Sequence, residues 1–142
     1  MLTFVEYTSG TYSSLLLDND SKNMIASLNI QNPVDINKLH CTIMYSRKPA
    51  PDAYSLLPYL PIKAKAKGFD VFGDCLVLLL ESIDLYELHN ATRELGATYD
   101  YDEYKPHITL SENNIEQNVS LLQIPDQHII FNEYKTEPLI DD

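Results

Sequence analysis

The spacing of hydrophobic and polar positions divides the chain into segments with two different periods. Alternation with a period of two, or a short apolar run bounded by turn residues, predicts β-strands. Such segments lie at residues 11–17, 39–45, 62–67, 76–81, 106–111 and from 129 through 134. Apolar residues at helical spacing predict two α-helices, one with Met24, Ile25 and Leu28 and the other with Leu85, Leu88 and Leu95.

One unit, a strand followed by a helix and a second strand, is used twice. In the first copy the turn residues 18–20 end a strand, and Asp20 or Ser21 caps the helix. In the second copy Ser82 caps the helix and Gly96 supplies its C-terminal stop. Each unit closes with a strand that carries a histidine. Because the two copies share little sequence, the duplication rests on this order of elements and on the histidine segments.

The doubled unit predicts an α+β protein with one domain over residues 1–142 and two lobes related by a pseudo-twofold axis. We expect antiparallel sheets flanked by helices, with the two histidine-bearing strands side by side or facing each other across a central catalytic cleft. The length of 142 residues is sufficient for a hydrophobic core. Residues 62–67 follow Pro61 and place three lysines on one face, a pattern typical of a strand at a sheet edge.

The two histidine segments are near-identical tetrapeptides, His40-Cys41-Thr42-Ile43 and His107-Ile108-Thr109-Leu110. Successive side chains of a strand point to opposite faces, so His40 and Thr42 share one face, as do His107 and Thr109. The same alternation places Tyr45 on the face opposite to that of the first histidine. Each segment therefore presents an imidazole and a hydroxyl together.

Two histidines, each with a hydroxyl beside it, are the groups that acid–base chemistry on a phosphodiester requires. One imidazole takes a proton from the attacking oxygen, and the other donates a proton to the leaving oxygen. A single histidine on a strand is more often structural, and threonine is a common strand residue. The repeated pairing favours catalysis by His40 and His107, with Thr42 and Thr109 as ligands of the phosphate oxygens.

The net charge of −11, from 21 acidic and 10 basic residues, argues against binding of long nucleic acids. Long polyanions are held by many lysines and arginines through counterion release. Four of the cations lie within ten residues of a motif histidine, namely Lys38, Arg47, Lys48 and Lys105. This grouping indicates a small anionic ligand.

The apolar runs and the cysteines predict where the protein works. No run approaches the roughly 18 apolar residues of a membrane span, and the segment Met1–Glu6 lacks the basic region of a signal peptide. Both cysteines, Cys41 and Cys75, fall inside predicted strands and are interpreted as small buried apolar residues. We therefore expect a protein of a reducing, cytosolic compartment that does not bind membranes.

Several other classes of enzyme lack their sequence signals here. The histidines do not occur at the His-x-x-x-His or His-Glu-x-x-His spacing of zinc hydrolases. The four glycines form neither a phosphate-cradling loop nor the Gly-x-Ser-x-Gly turn of serine hydrolases. We therefore expect neither a metal site nor a cofactor.

Paired His-x-Thr motifs, about half a chain apart and each in a strand, resemble the hallmark of the 2H phosphoesterases. The resemblance covers most of the chain, including the doubled order of strand, helix and strand. The segment Lys105–Leu110 resembles the second motif of that family in its usual surroundings. The resemblance implies a metal-independent enzyme that acts on 2′,3′-cyclic phosphates, 2′–5′ linkages or related phosphodiesters.

Within that superfamily the chain is most similar to the phage anti-CBASS nuclease branch, whose members degrade cyclic di- and trinucleotides that bacterial defence systems use as alarm signals. The resemblance is carried by the last predicted strand and by Gly10–Tyr12 and Leu39–Arg47. The branch holds a base with an N-terminal tyrosine and a C-terminal acidic residue, which implies these roles for Tyr12 and Glu133. The chain has no tryptophan, so an aromatic contact that the resemblance implies near the C-terminus is either missing or supplied by Tyr134.

The resemblance therefore implies hydrolysis of the 3′–5′ bonds of a cyclic oligonucleotide in the host bacterial cytoplasm, with no obligate protein partner. Tyr45, Arg47 and Lys105 are further candidates for substrate binding, and Tyr7 and Tyr104 are alternatives to the N-terminal tyrosine for stacking on a base. A 2′,3′-cyclic phosphodiesterase that acts on RNA ends is one alternative function. A non-catalytic protein that sequesters the nucleotide is another.

The remaining histidines, His89 and His128, have no hydroxyl two residues further on and are interpreted as structural. His89 has charged neighbours on a predicted helix, so we expect it to be solvated. Either motif histidine can serve as the base, and either water or the ribose 2′-hydroxyl can attack the phosphate.

Overall fold

A computed structural model describes residues 1–113 and 118–140, and this part of the chain contains three α-helices and six β-strands. The α-helices are α1 (Phe4–Thr8), α2 (Asn19–Ala26) and α3 (Ile83–Glu94), and the strands are β1 (Gly10–Leu17), β2 (His40–Ser46), β3 (Ile62–Phe72), β4 (Cys75–Glu81), β5 (His107–Ser111) and β6 (Ile129–Leu139). Short 3₁₀ turns occupy Ile36–Lys38, Pro51–Ser55 and Val119–Leu121. The predicted α+β class is confirmed.

The strands pair antiparallel in the order β1-β2-β5-β4-β3-β6, and β6 pairs back with β1 to close the sheet into a ring. The two histidine-bearing strands, β2 and β5, are neighbours in this ring, so the side-by-side arrangement is the one observed. The expectation that residues 62–67 form a sheet edge is wrong, because β3 lies between β4 and β6. The pairing of β3 with β6 joins residues 62–64 to residues 129–131, which are far apart in sequence.

The repeated strand–helix–strand order is confirmed as β1-α2-β2 and β4-α3-β5. The cap of α2 is Asp18 rather than the expected Asp20 or Ser21, because its carboxylate accepts a hydrogen bond from the Ser21 amide at 2.8 Å. The Ser21 hydroxyl instead accepts from the backbone amide of Ile130 at 2.8 Å, which ties α2 to β6. Gly96 follows α3 with a φ of 102°, a left-handed conformation that ends the helix as expected.

The hydrophobic core lies on one face of the sheet, beneath α2 and α3. It includes Leu15, Ile43, Leu78, Ile108 and Phe131, which are fully buried. Burial of each such side chain contributes about 1.5–3 kcal/mol of transfer free energy, so the strands are held in register from this side. The opposite face of β1, β2, β5 and β6 carries the polar candidates and is called the site face below.

Over the stretch in which the two strands pair, β2 contains one residue more than β1. Ser13 pairs with Met44 and Ser14 with Thr42, which leaves Ile43 as the extra residue of a β-bulge. The bulge interrupts the alternation, so Tyr45 returns to the face that carries Thr42. The expectation that Tyr45 points away from the motif histidine is therefore wrong.

A second irregularity lies in β6, where Leu16 pairs with Glu133 but Leu17 pairs with Phe131. Beyond it the alternation places Glu133 opposite Leu16 on the site face. Tyr134 lies opposite Leu15 and packs against the core. The strand also runs to Leu139, five residues beyond the predicted Tyr134.

Within residues 1–113 and 118–140, the helices are too short and too polar to cross a lipid bilayer.

Candidate active site

The two His-x-Thr motifs meet across the β2–β5 pair. Cys41 lies opposite Ile108 in this antiparallel pair. Continuing that register by one residue in each direction places His40 opposite Thr109 and Thr42 opposite His107. Each histidine thus faces the threonine of the other motif, and the histidines are diagonal neighbours with Cα atoms about 7–8 Å apart. A phosphate group centred on this quartet would be within reach of all four side chains.

Both imidazoles are oriented by the same backbone contact. Nδ1 of His40 donates a hydrogen bond to the carbonyl oxygen of Lys38 at 2.8 Å, and Nδ1 of His107 donates to that of Lys105 at 2.7 Å. A carbonyl oxygen can only accept, which assigns the proton to Nδ1 in both rings. Nε2 is therefore the nitrogen that can exchange a proton with a substrate. The sequence carries a sign of this arrangement, since both motifs read Lys-x-His-x-Thr.

His107 is partly enclosed by an aromatic side chain. The ring of Phe72 meets its imidazole edge-on, with 5.0 Å between ring centroids. Burial lowers the pKa of His107, the positive charge of His40 lowers it further, and the hydrogen bond to Lys105 raises it. His107 is therefore neutral at neutral pH, with Nε2 free of a proton.

Tyr12 joins the quartet from strand β1. Its hydroxyl lies 3.1 Å from Oγ1 of Thr42, within hydrogen-bond distance. Its ring meets those of His40 and Tyr45 edge-on, at 6.4 and 6.2 Å between centroids. Burial raises the pKa of the Tyr12 hydroxyl, which therefore keeps its proton and can donate. The structure thus places both tyrosine candidates, Tyr12 and Tyr45, beside the motif residues.

A cavity of about 920 Å³ opens beside the quartet, within the range of small-molecule sites. Four segments form its wall: the end of β2, the β3–β4 hairpin, the loop of residues 99–105, and β5. The residues from the strands and the hairpin are Thr42, Tyr45, Arg47, Phe72, Gly73, Cys75, Val77, His107 and Thr109. His40 is not part of the wall of this cavity, but it lies on the same face of β2 as Thr42. Cys75 is thus part of a cavity wall, whereas Cys41 is fully buried as expected, and burial raises the pKa of its thiol to about 11.

Two of the candidate cations lie on the cavity wall. The guanidinium of Arg47 pairs with Asp100, with 2.9 Å between Nε and Oδ2, and lies 5.6 Å from the centre of the Tyr45 ring. Lys105 lines the same wall and supplies the carbonyl that orients the neighbouring histidine. Arg47 and Lys105 therefore lie on the same cavity wall as motif residues, as predicted for two of the four cations.

The loop of residues 99–104 contributes groups that sequence reasoning did not single out. Tyr99, Tyr101 and Asp100 all line the cavity. Aromatic faces of this kind can stack on a nucleotide base. Their concentration in one short segment, together with Tyr104, was the available sequence signal.

The two C-terminal candidates, Glu133 and Tyr134, lie on opposite faces of β6. Glu133 is exposed on the site face, and Leu16 lies between it and His40 across the sheet. Tyr134, the expected aromatic contact, faces the core instead and is not brought to the site. Lys135 and Glu137 follow Glu133 on the site face and form an ion pair of 3.4 Å, which sequence reasoning missed because it ended the strand at Tyr134.

The alternative stacking residues lie elsewhere. Tyr7 is exposed on helix α1. Tyr104 is buried, and its ring stacks on the imidazole of His89 at 4.1 Å between centroids with an angle of 5°. The expectation that Tyr104 stacks on a base is therefore wrong.

The other two histidines differ from each other. His89 is only 4% exposed, so the expectation that it is solvated is wrong. Its Nδ1 donates to the carbonyl oxygen of Ile43 at 2.7 Å, and burial lowers its pKa. His128 is exposed and directly precedes β6.

In the part of the chain that the structure describes, no three His, Cys, Asp or Glu side chains are grouped so that they could hold a metal ion.

A family model and individual relatives assign the sequence to the same protein family. A family model described as "Anti-CBASS protein Acb1" matches residues 9–142. The Acb1 protein of Salmonella phage S16 is 39% identical over 147 residues, covering 98% of this chain and 94% of the relative. That of Enterobacteria phage T4 is 38% identical over 154 residues, again covering 98% and 94%. The similarity therefore extends over nearly the whole of both chains.

Solved structures with the same fold are phosphoesterases of much lower sequence identity. A crystal structure of a phosphoesterase superposes with a TM-score of 0.68 at 16% identity, covering 91% of this chain and 87% of the other. Escherichia coli LigT, crystallised with 3′-AMP, gives a TM-score of 0.64 at 16% identity, covering 90% and 86%. These likenesses show that the chain shares the fold of these solved proteins.

Proposed function

This chain belongs to the Acb1 family of anti-CBASS proteins, and we propose that it cuts the 3′–5′ phosphodiester bonds of cyclic di- or trinucleotide signals with His40 and His107 as its acid–base pair. The observation that carries this proposal is the matched orientation of the two imidazoles. Each donates Nδ1–H to the carbonyl two residues before it, and each presents Nε2 beside the threonine of the other motif. A pair built in this way serves proton transfer at both ends of one phosphate.

The substrate phosphate would lie between the two motifs. The hydroxyls of Thr42 and Thr109 would donate to its non-bridging oxygens, and the Tyr12 hydroxyl would hold Thr42 in the required rotamer. Hydroxyl donors fixed before the reaction stabilise the charge that develops on these oxygens. The quartet therefore supplies both the proton transfers and the electrostatic support.

We assign the base to His107 and the acid to His40. The lowered pKa of His107 keeps its Nε2 unprotonated, which is the form that accepts a proton. His107 takes the proton of the attacking hydroxyl as the new P–O bond forms. His40, protonated at Nε2, donates to the 5′-oxygen as the P–O5′ bond breaks. The two rings then return to their starting forms by exchanging protons with water.

The cavity beside the quartet would hold the rest of the nucleotide ring. Arg47 and Lys105 lie on its wall together with three carboxylates, Asp100, Asp102 and Glu103, and Asp100 pairs with Arg47. Positive charge for an anionic ligand therefore comes from these two side chains and not from the wall as a whole. Tyr12 and Tyr45 offer aromatic surface for a base, and Glu133 on the same face offers a carboxylate for the hydrogen-bond donors of its edge. Such a site takes a small nucleotide without a long nucleic acid, a metal or a cofactor.

The biological role follows from the family. CBASS systems use cyclic oligonucleotides as alarm signals, so a phage protein that destroys them would act in the cytoplasm of the infected bacterium. The activity would lower the concentration of the signal before its effector responds.

The proposal is tested by incubating the purified protein in EDTA with cyclic di-AMP, 3′,3′-cyclic GMP-AMP, cyclic tri-AMP and 2′,3′-cyclic AMP, and following each by mass-resolved chromatography. Loss of the cyclic oligonucleotides, with linear products, supports the proposal. Cleavage of 2′,3′-cyclic AMP alone would assign the protein to RNA-end processing. A transient product ending in a 2′,3′-cyclic phosphate would identify the ribose 2′-hydroxyl as the nucleophile, and its absence would favour water.

A further inference from the structure

The bulge in β2 is held by two donors from outside the sheet. The extra residue of the bulge, Ile43, follows the phosphate ligand Thr42 directly. The carbonyl oxygen of Thr42 accepts a hydrogen bond from the Tyr104 hydroxyl at 2.7 Å. The carbonyl oxygen of Ile43 accepts one from Nδ1–H of His89, also at 2.7 Å. Both carbonyls at the irregular point of the strand are therefore bound by side chains.

These two donors form one unit. The imidazole of His89 and the ring of Tyr104 are parallel, with 4.1 Å between centroids, and both side chains are buried. They come from different elements, since His89 lies in α3 and Tyr104 in the loop before β5. We call this stacked pair the His89–Tyr104 clamp. A buried carbonyl that loses its donor is costly, so each hydrogen bond fixes the backbone that it contacts.

The clamp joins the two halves of the active site. Tyr104 directly precedes Lys105, whose carbonyl orients His107. One side of the clamp is thus continuous with the second motif, and the other side holds the backbone of the first motif at Thr42. The clamp therefore connects the backbone of the phosphate ligand Thr42 with the segment that carries the base His107.

The bulge also determines which residues reach the site face. Because it reverses the alternation after Thr42, Tyr45 points to the cavity and the chain continues to Arg47 on its wall. Without the extra residue in this position, strand periodicity would send Tyr45 to the core face.

We propose that His89 and Tyr104 are positioning residues, which act through the backbone of Thr42 and Ile43 to align the phosphate site with His107. This inference rests on the proposed phosphodiesterase function. Neither residue has to touch the reacting atoms. Loss of a clamp hydrogen bond should misalign groups that act in the transition state, so kcat should fall more than KM rises.

The first test compares Tyr104→Phe with Tyr86→Phe. The first variant removes only the hydroxyl that binds the Thr42 carbonyl and retains the ring that stacks on His89. The control removes a hydroxyl from the same aromatic cluster, in which the Tyr86 ring meets that of Tyr104 edge-on at 5.7 Å. With 3′,3′-cyclic GMP-AMP as substrate, Tyr104→Phe should lower kcat roughly 10- to 100-fold, a loss typical of small misplacement, while the control should match the unsubstituted protein.

The second test uses a pair of substitutions at His89. The amide of His89→Asn can donate to the Ile43 carbonyl in place of Nδ1–H, whereas the side chain of His89→Leu cannot donate. We expect the asparagine variant to retain most of the turnover and the leucine variant to lose it. Circular dichroism must show each variant folded at the assay temperature, so that a lower kcat does not reflect unfolded protein.

A third measurement needs no substrate and separates this inference from the proposed function. Backbone amide signals of residues 42–45 in ¹H–¹⁵N NMR spectra should shift in Tyr104→Phe and in His89→Leu, but not in Tyr86→Phe. Unmoved signals, or a kcat of Tyr104→Phe equal to that of the control, would overturn the role of the clamp. An unsubstituted protein that cuts no cyclic oligonucleotide would instead contradict the proposed function, while the NMR shifts still decide whether the clamp sets the bulge.

Discussion

The ring of Phe72 meets the imidazole of His107 edge-on, with 5.0 Å between their centroids. Phe72 ends β3, and its ring covers part of the imidazole that we propose as the general base. Burial is the main cause of the lowered pKa of His107. The contact therefore favours the neutral imidazole, which a general base requires.

Replacement of Phe72 by alanine should raise the pKa of His107, because water then solvates the charged imidazole. A base works only above its own pKa, so the acidic limb of the pH profile of kcat/KM should move to higher pH. The Phe72→Leu variant keeps an apolar side chain over the ring and should shift the limb less. An acidic limb that stays in place, or moves to lower pH, would show that Phe72 does not tune the base.

Either motif histidine should be indispensable for turnover. His40→Ala and His107→Ala should each lower kcat by roughly two to four orders of magnitude, the usual contribution of one acid–base group. The double variant should be little worse than either single one, because the two groups act as a unit. His128→Ala is the matched control, since this exposed histidine lies outside the site, and its rate should equal that of the unsubstituted protein.

The positive charge of Arg47 should serve substrate binding more than the chemical step. Its guanidinium is on the cavity wall beside Asp100 and the Tyr45 ring. Arg47→Gln should raise KM roughly tenfold, as expected for loss of a hydrogen bond to a charged group, and should weaken the dependence of KM on salt. Lys48→Gln removes a neighbouring exposed charge. If both substitutions raised KM equally, the effect would come from the overall electrostatic potential of the protein and not from a contact between Arg47 and the substrate.

The Tyr12 hydroxyl should matter through its contact with Thr42 Oγ1, 3.1 Å away. Tyr12→Phe keeps the ring for base contacts but removes this hydrogen bond, so kcat should fall by roughly fivefold, which corresponds to about 1 kcal/mol. Tyr7→Phe, on the exposed helix α1, is the control for loss of a phenol hydroxyl. A change in KM alone would assign the Tyr12 hydroxyl to substrate binding instead.

The central features of the site follow from local sequence. Period-two alternation located the strands that carry His40 and His107, and the shared His-x-Thr spacing put each hydroxyl on the face of its histidine. These inferences succeed because alternation is uninterrupted from His40 to Thr42 and from His107 to Thr109. The doubled unit left open whether the two motif strands lie side by side or face each other, and the pairing of Cys41 with Ile108 decides for the first arrangement.

The face of Tyr45 could not be predicted in the same way. Alternation fails at Ile43, where His89 donates to the Ile43 carbonyl from 46 residues away and Tyr104 donates to the Thr42 carbonyl from 62 residues away. No local pattern reports a hydrogen bond over such separations. The second irregularity, before Glu133 in β6, likewise decides which of Glu133 and Tyr134 reaches the site face.

The burial of His89 was within reach of sequence reasoning. The buried positions of α3 are Leu85, Leu88, His89 and Thr92, which are spaced as a helical stripe. If His89 is assigned to that buried stripe, and not to the surface because of its charged neighbours, it is predicted to pack against the sheet. Its partner, the carbonyl of Ile43, depends on tertiary structure and could not be inferred.

The most direct test of the account is a turnover count. A small amount of protein is incubated in EDTA with a large molar excess of 3′,3′-cyclic GMP-AMP, and linear product is quantified per molecule of protein, with His107→Ala alongside. The account predicts many product molecules per molecule of protein and almost none from the variant. Disappearance of free nucleotide that stops at one molecule per protein, with intact nucleotide recovered on denaturation, would contradict it and identify a protein that only sequesters the signal.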